Sequence, residues 1–507
     1  MRRKLERDLN RVHDEPMIGL IGAVSVMLGG HSGPLGLVPD FPAEGVGATL
    51  PSRYYIPPWT LETLVNELLA TPKARGFEGG GTRIVRHDRF EVLKMISEMV
   101  IALENKEDGL YLEGHDIFTE MGRIAQRQFP WQRGLATAPI LYRSMLLFGT
   151  GAAASEFQRV AGLPVDAFAK VGAWLAGALQ RRDWERRDTD LAEVGITPAQ
   201  REAALVRLSI PLATARAKAR KMRAGRRHTA YRPSILRDHP IIAFGEGGAR
   251  LRSPIPELIT PRFTSGLYMD VIGGGGAVWT EIGERFERYC RDYLVEMMPT
   301  HDIEGEFDYG PKKARSRSPD VLVSQNNEIV MVGECKAKRM SFEARFADEP
   351  YDSAEGGYDE LAKGVFQIWR FASHVRRGLV PGRRLADGWL ASVITVDPWL
   401  SMARNEERRV IERANAMADE IGGIDAVDRR PVPVSPIEDI EYVLQHGDAE
   451  TLLDAIRAVS GGEKQGWILS MAHAARIDEE RPYPFMDRIA EILPWWRTAL
   501  PVNASHR

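Results

Sequence analysis

Residues Arg315 to Met340 constrain the chain more than any other stretch. Val321, Leu322 and Val323 run into a polar break at Ser324-Gln325-Asn326-Asn327, and a second apolar run climbs from Ile329 through Val332 to Glu334-Cys335-Lys336. Two strand-forming runs around a turn signal predict a β-hairpin. Both runs are apolar at consecutive positions, which suits a hairpin covered on both faces rather than one lying on the surface. Strand side chains alternate with period two, so Glu334 and Lys336 share a face and Cys335 points to the other. A carboxylate and an ammonium therefore sit side by side at the open end of the hairpin.

Register decides whether Asp320 joins them. A two-residue turn at Asn326-Asn327, which their chemistry favours, pairs Asp320 with Gly333 and leaves it on the face away from Glu334. A loop of three or five residues, or a bulge, brings Asp320 to face Glu334 across the strands. The longer loop is the expectation adopted here. Two carboxylates and a lysine converging at the end of apolar strands carry a desolvation cost, and a divalent cation is the usual reason for it.

Pro319-Asp320 followed by Glu334-Cys335-Lys336 resembles the signature of the PD-(D/E)XK nuclease superfamily, the restriction-endonuclease-like fold. The resemblance spans roughly residues 278 to 400, about a quarter of the chain. It implies a C-terminal α/β domain with a central mixed sheet flanked by helices. It also implies Asp320, Glu334 and Lys336 as catalytic residues, the two acids holding Mg2+ (or Mn2+ in its place) and the lysine serving the attacking water and the phosphate. An acid on the preceding helix belongs to the same pattern, and Glu281, Glu284 and Glu287 compete for it. Val278, Ile282, Phe286, Tyr289, Cys290, Tyr293, Leu294 and Met297 form one stripe of a predicted helix from Val278 to Met298. At 100° per residue Glu287 lies at the edge of that stripe and the other two on its far side, so Glu287 is the expected third metal ligand. Gly283, Glu287 and Arg288 resemble the Gly-x-x-x-Glu-Arg pattern of some resolvase-like members, and Gly283 would let the helix approach a neighbour closely.

On a predicted helix from Tyr358 to His374, Leu361, Val365, Ile368, Trp369 and Ala372 form the buried face, with Lys363, Gln367 and Phe371 mostly off it. Gln367 and Phe371 resemble the Gln-x-x-x-Tyr motif of the RecB and lambda-exonuclease branch, with Phe where Tyr stands in the family. Gln367 and Lys363 are thereby candidates for the nucleic-acid groove. Lys312, Lys313, Arg315 and Arg317, just ahead of Pro319, would guide a phosphate backbone towards the metal; a soluble loop accounts for them almost as well.

At 507 residues the chain is too long for one compact core and suggests two or three domains. Its formal net charge of −3 gives no support to wholesale coating of nucleic acid, so any basic footprint must be local. Two cysteines, Cys290 and Cys335, make neither a disulfide framework nor a zinc cluster and read as reduced core residues of a cytoplasmic protein. No signal peptide or membrane anchor is expected, since the apolar stretch from Met17 to Leu28 is broken by glycines and shorter than the roughly 20 residues a span needs.

Along the chain, helical periodicity marks Phe90 to Glu104, Ile117 to Phe129, Ile140 to Phe148, Phe157 to Leu179 and Leu191 to Leu208. Residues 1 to about 55 give no clear reading. Arg216 to Arg227 holds seven cations and reads equally as a phosphate-tracking helix or a solvated face. The Pro- and Gly-rich composition from Tyr231 to Gly276 reads as a connector. Leu390 to Val396 is a predicted central strand, Arg408 to Ile421 a helix, and Val432 to Val434 an edge strand beside Pro431 and Pro433. Helices are expected again at Ile440 to Gln445, Leu452 to Val459 and Phe485 to Leu493, with Trp495-Trp496 sealing the last one.

The expected division is a mainly α-helical N-terminal region (1–265) for sensing, partners, nucleic acid or homo-oligomerisation, the nuclease-like domain (266–445), and a C-terminal helical extension (446–507). The expected function is Mg2+-dependent hydrolysis of nucleic acid, DNA before RNA, with bacterial defence or restriction as the setting such domains suggest. A catalytically silent nuclease-like binding module is the alternative. A lesser one is an HD-type metal phosphohydrolase built from His13-Asp14, His87-Asp88, His115-Asp116 and His301-Asp302. Gly79 to Gly81 with Thr82 lack the Lys-Ser or Lys-Thr of a P-loop.

Overall fold

The computed structural model of the chain describes residues 1–31, 33–73, 88–112, 117–225, 228–313, 315–347, 349–473 and 480–499. Gly79 to Gly81 with Thr82, His87, the pair His115-Asp116, and Arg226 and Arg227 lie outside the described residues.

The helical periods of the N-terminal half become helices Phe90–Leu112, Ile117–Arg133 and Ala138–Phe148. The single helix expected from Phe157 to Leu179 is two, Gly151–Ala161 and Val165–Arg181. Gly162 takes a left-handed cap with φ of 74° and Pro164 starts the second helix, so the first cannot continue. The stretch Met17 to Leu28 falls in helix Asp14–Leu28, buried on nearly every side against helix Pro58–Ala70. Among the described residues no helix is long and apolar enough to cross a membrane.

The supposed connector is part of the fold. Strands β1 (Glu185–Arg186), β2 (Ser209–Pro211), β3 (Ile241–Phe244) and β4 (Arg250–Arg252) form a four-stranded sheet in the order β1-β4-β3-β2, and all four residues of β3 are buried. Pro240 stands immediately before β3, Pro256 opens a short helical turn and Pro261 lies inside the short helix Ile259–Phe263, while the apolar run Ile241 to Phe244 carries the buried strand. The basic helix Leu212–Gly225 divides its charges. Arg216 binds Asp14 at 2.6 Å and Arg223 pairs with Glu6 at 3.2 Å, while Lys218, Arg220 and Lys221 are exposed.

The second sheet holds β5 (Asp302–Gly305), β8 (Val321–Gln325), β9 (Glu328–Lys336), β10 (Leu385–Thr395) and β11 (Val434–Pro436); β6 (Asp308–Tyr309) and β7 (Ser316–Arg317) form a separate ribbon between β5 and β8. Its order is β11-β10-β9-β8-β5, antiparallel from β5 to β9 and parallel from β9 to β11. Val321, Val323, Met331, Cys335 and Ile394 face helix α1 (Gly275–Met297), and Leu322, Ile329, Val332, Ala391 and Val393 face α2 (Glu355–Arg376) and α3 (Arg404–Ile421). A mixed sheet is thus covered by helices on both sides. The α1 face is one continuous core that runs from Leu141 across residue 265 to Leu493, taking in helices from all three expected regions.

Candidate metal and nucleic-acid site

The hairpin turn is the short one. Asn326 and Asn327 sit at φ of 53° and 62°, and Gln325 pairs with Glu328 across them, so the longer loop expected from the sequence does not form. One extra residue resets the register instead. Ser324 pairs with Ile329 and Val323 with Met331, which leaves Val330 unmatched, and Val330 and Met331 both pack on the α1 side. Val321 then pairs with Gly333, and the next residue, Asp320, comes level with Glu334. The Asp320 Oδ2 atom accepts the backbone N–H of Cys335 at 2.7 Å.

The resulting carboxylates are crowded and poorly hydrated. Burial first, and then Asp320, push Glu334 up to about 8 against the pull of Lys336. Asp320 is raised to about 6 by burial, opposed by the Cys335 N–H and Lys336. Glu287 on α1 rises to about 7 through burial, Asp320 and Glu306. Glu281 is engaged elsewhere, accepting the Ala152 N–H at 2.6 Å and pairing with Arg285, and Glu284 is exposed. Glu334 Oε2 is buried and accepts no hydrogen bond among the described residues. A buried carboxylate oxygen left in this condition costs about 1–3 kcal/mol or more.

Lys336 faces the same space. Its Nζ donates to Glu334 Oε1 at 3.0 Å and to Gln367 Oε1 at 3.1 Å. Burial alone would lower it, but Glu334 and Asp320 outweigh burial and hold the ammonium above its ordinary range. Helix α2 can lie this close because residue 364 is glycine. A Cβ there would stand 3.2 Å from Lys336 Cε, 3.4 Å from Glu334 Cγ and 3.1 Å from Val393 Cγ2.

Below the site, Asp397 closes the segment that follows Lys336. It is buried, accepts from Arg339 Nε at 2.8 Å and pairs with Arg345. Burial would raise its carboxyl, yet the two guanidinium groups hold it below the usual carboxylate range. The sequence reading missed this clamp; its only local signal is an Asp-Pro at the end of an apolar strand.

The other expected contacts are uneven. Lys312 and Lys313 are exposed beside β7, Arg315 pairs with Asp308 at 3.4 Å, and Arg317 pairs with Glu306 at 3.2 Å. Lys363 is exposed and pairs with Glu360 at 2.7 Å. Phe371 does not lie off the buried face of α2. It is fully buried against Phe307 and Tyr309 of the ribbon segment, a cover that no helical wheel contains. Among the described residues Gly283 makes no close approach, since a Cβ there would meet no atom within 4 Å.

The donor set fits a hard divalent cation. Magnesium takes oxygen ligands, keeps several waters and is commonly held by one or two carboxylates together with substrate phosphate. Among the described residues no group of three or more His, Cys, Asp or Glu side chains is arranged to hold a metal ion, so Glu287 does not complete a three-ligand set with Asp320 and Glu334. The buried and unpartnered Glu334 Oε2 beside Asp320 suits such an open site. Of the His-Asp pairs, Asp14 is tied to Lys73 at 2.7 Å and to Arg216, and His301 contacts Thr300 at 3.1 Å. Comparison with family models, with curated proteins and with solved structures finds no match.

Proposed function

We propose that this chain is a Mg2+-dependent nuclease of the PD-(D/E)XK type that hydrolyses phosphodiester bonds of nucleic acid, DNA in the first instance. The observation that carries the reading is Glu334, buried near the end of β9 and level with Asp320, with Oε1 paired to Lys336 and Oε2 buried without a hydrogen-bond partner among the described residues. The succession of α1, an antiparallel β5-β8-β9 set, α2 and a parallel β10 supports the resemblance drawn from the motif.

Asp320 and Glu334 would hold the cation, with Glu287 at its edge; when bound, magnesium supplies charge neutralisation on the phosphate and a water of lowered pKa. The Cys335 N–H fixes the Asp320 carboxylate. Lys336 is fixed from two sides by Glu334 and Gln367, which leaves its remaining proton free to orient a water or a non-bridging phosphate oxygen. Its raised pKa keeps it cationic at neutral pH, so it acts as an electrostatic partner of the transition state rather than as a base.

The test is incubation of the full chain with supercoiled and linear duplex DNA, single-stranded DNA and RNA, in magnesium and in EDTA. Cleavage of one or more substrates in magnesium alone supports the reading and names the substrate. Binding without cleavage on every substrate would leave the silent module in its place.

A further inference from the structure

Half-buried Arg370 stands apart from other arginines around the sheet. Arg339 and Arg345 are neutralised by Asp397, Arg376 by Asp428 at 2.8 Å, and Arg383 by Glu304 at 2.7 Å. Among the described residues Arg370 has no carboxylate partner, and its buried Nε has no hydrogen-bond partner. The guanidinium lies over the Phe366 ring at 5.6 Å.

Helical geometry says where this charge is aimed. Residues 363, 367, 370 and 374 fall within about 60° of one another at 100° per residue, so Lys363, Gln367, Arg370 and His374 form one stripe along α2. Gln367, Arg370 and His374 are all half-buried, as befits the wall of a groove. Helical side chains lean towards the N-terminus, so Arg370 covers the turn that contains Gln367, whose oxygen holds Lys336 at 3.1 Å. At the other end His374 Nδ1 meets the Tyr309 hydroxyl at 2.8 Å, and Tyr309 belongs to the ribbon that leads into Pro319-Asp320. The His374 imidazole is lowered by burial and then by Arg370 and Arg377, so it offers no second cation here.

An uncompensated guanidinium one helical turn from the Lys336-Gln367 pair lacks an anion. We infer that Arg370 binds a backbone phosphate of the nucleic acid next to the one at the Asp320-Glu334 site, which makes it a binding residue for the substrate. This rests on the nuclease reading above and goes beyond its residues. A guanidinium presents a planar fork of donors that is suited to a phosphate diester.

The experiment measures binding rather than cleavage, in the full chain carrying Asp320→Ala so that the probe survives. A short DNA duplex is titrated in magnesium between about 50 and 200 mM salt, the range over which phosphate contacts register as counterion release. Arg370→Ala should weaken binding about tenfold, as expected for one lost charged hydrogen bond, and flatten the log–log salt slope by about 0.9. Arg370→Met keeps an apolar stem over Phe366, so it should fold as the parent does and show the same loss. Arg370→Lys should keep most of the slope. Arg408→Ala removes an exposed cation of α3, near Glu412 at 3.7 Å, and should leave the slope unchanged. An unaltered slope in both Arg370→Ala and Arg370→Met would overturn the inference, as would an equal loss in Arg408→Ala. If neither the Asp320→Ala parent nor the wild-type chain in EDTA binds the duplex at any salt, the inference falls, while the nuclease reading stands or falls on the cleavage assay above.

Discussion

The Asp320 carboxylate accepts the backbone N–H of Cys335 at 2.7 Å, so an acid at the end of one strand is tied to the residue between Glu334 and Lys336 on the next. This contact exists because Val330 adds one residue to β9. With a straight ladder behind the Asn326-Asn327 turn, Asp320 would fall level with Gly333 and the two acids would point to opposite faces.

The turn itself carries strain that one substitution relieves. Asn327 sits at φ of 62°, where glycine is free of the Cβ penalty. Asn327→Gly should raise stability by about 0.5 kcal/mol in urea denaturation and leave cleavage unchanged. Lost stability would mean that Asn327 makes a contribution beyond its conformation.

Glycine at 364 is the opposite case. Alanine in a helix interior normally gains about 0.5–1 kcal/mol over glycine. Here the new Cβ would press on Lys336 Cε and Glu334 Cγ from 3.2 and 3.4 Å. Gly364→Ala should keep the fold and lower kcat by about tenfold, roughly 1.4 kcal/mol of transition-state stabilisation. Unchanged kcat would show that the lysine has room to shift without loss.

Stability should fall as pH rises, and a divalent cation should reverse the trend. Asp320, Glu287 and Glu334 are raised to about 6, 7 and 8 from ordinary values of 3.8, 4.5 and 4.5. Between those ordinary values and the raised ones the folded chain binds more protons than the unfolded chain, so stability declines with rising pH across the window from about 4 to 8. Glu407 and Asp439, raised to about 7 and 6, act in the same direction, so the site's share is the difference between wild type and Glu334→Gln. Thermal melts should show a shallower decline in that variant. Magnesium should raise the wild-type Tm more at pH 8 than at pH 5.5, with about 2.7 kcal/mol available at a hundredfold excess over Kd. A magnesium shift of equal size at both pH values would contradict cation binding to these acids.

The Asp397 clamp has the reverse sign. Its carboxyl is held low by Arg339 and Arg345, so its contribution is present above the ordinary carboxylate pKa and is lost as pH falls through the lowered value. Asp397→Asn should cost about 3–5 kcal/mol, because two guanidinium groups lose their buried counter-charge. A loss below 1 kcal/mol would place those groups in water.

How much of this was legible in the sequence follows the range of each interaction. The Asn326-Asn327 turn is local chemistry and its short form was readable, but Val330 lies inside an apolar run with no glycine to mark a bulge, so the register was not. Helical phase selected Glu287 over Glu281 and Glu284; burial and then Asp320 raise its carboxyl, but among the described residues it does not form a three-ligand group with Asp320 and Glu334. Phase failed for Phe371, because the ribbon residues Phe307 and Tyr309 cover it from more than 60 positions away. The strand Ile241–Phe244 was hidden by the surrounding Pro- and Gly-rich composition, with Pro240 just before it and Gly245 just after. Arg370 was unreadable for a further reason: what distinguishes it is which acids it does not meet in space.

The most direct test compares single-turnover cleavage of the preferred substrate by wild type, Asp320→Ala and Lys336→Ala in magnesium. Loss of one member of a charged catalytic constellation costs about 10²–10³ in rate or more. The expected result is cleavage by wild type that falls by at least that factor in both variants while their Tm values stay close to wild type. Undiminished cleavage in both would contradict the assignment of Asp320, Glu334 and Lys336 as the site of hydrolysis.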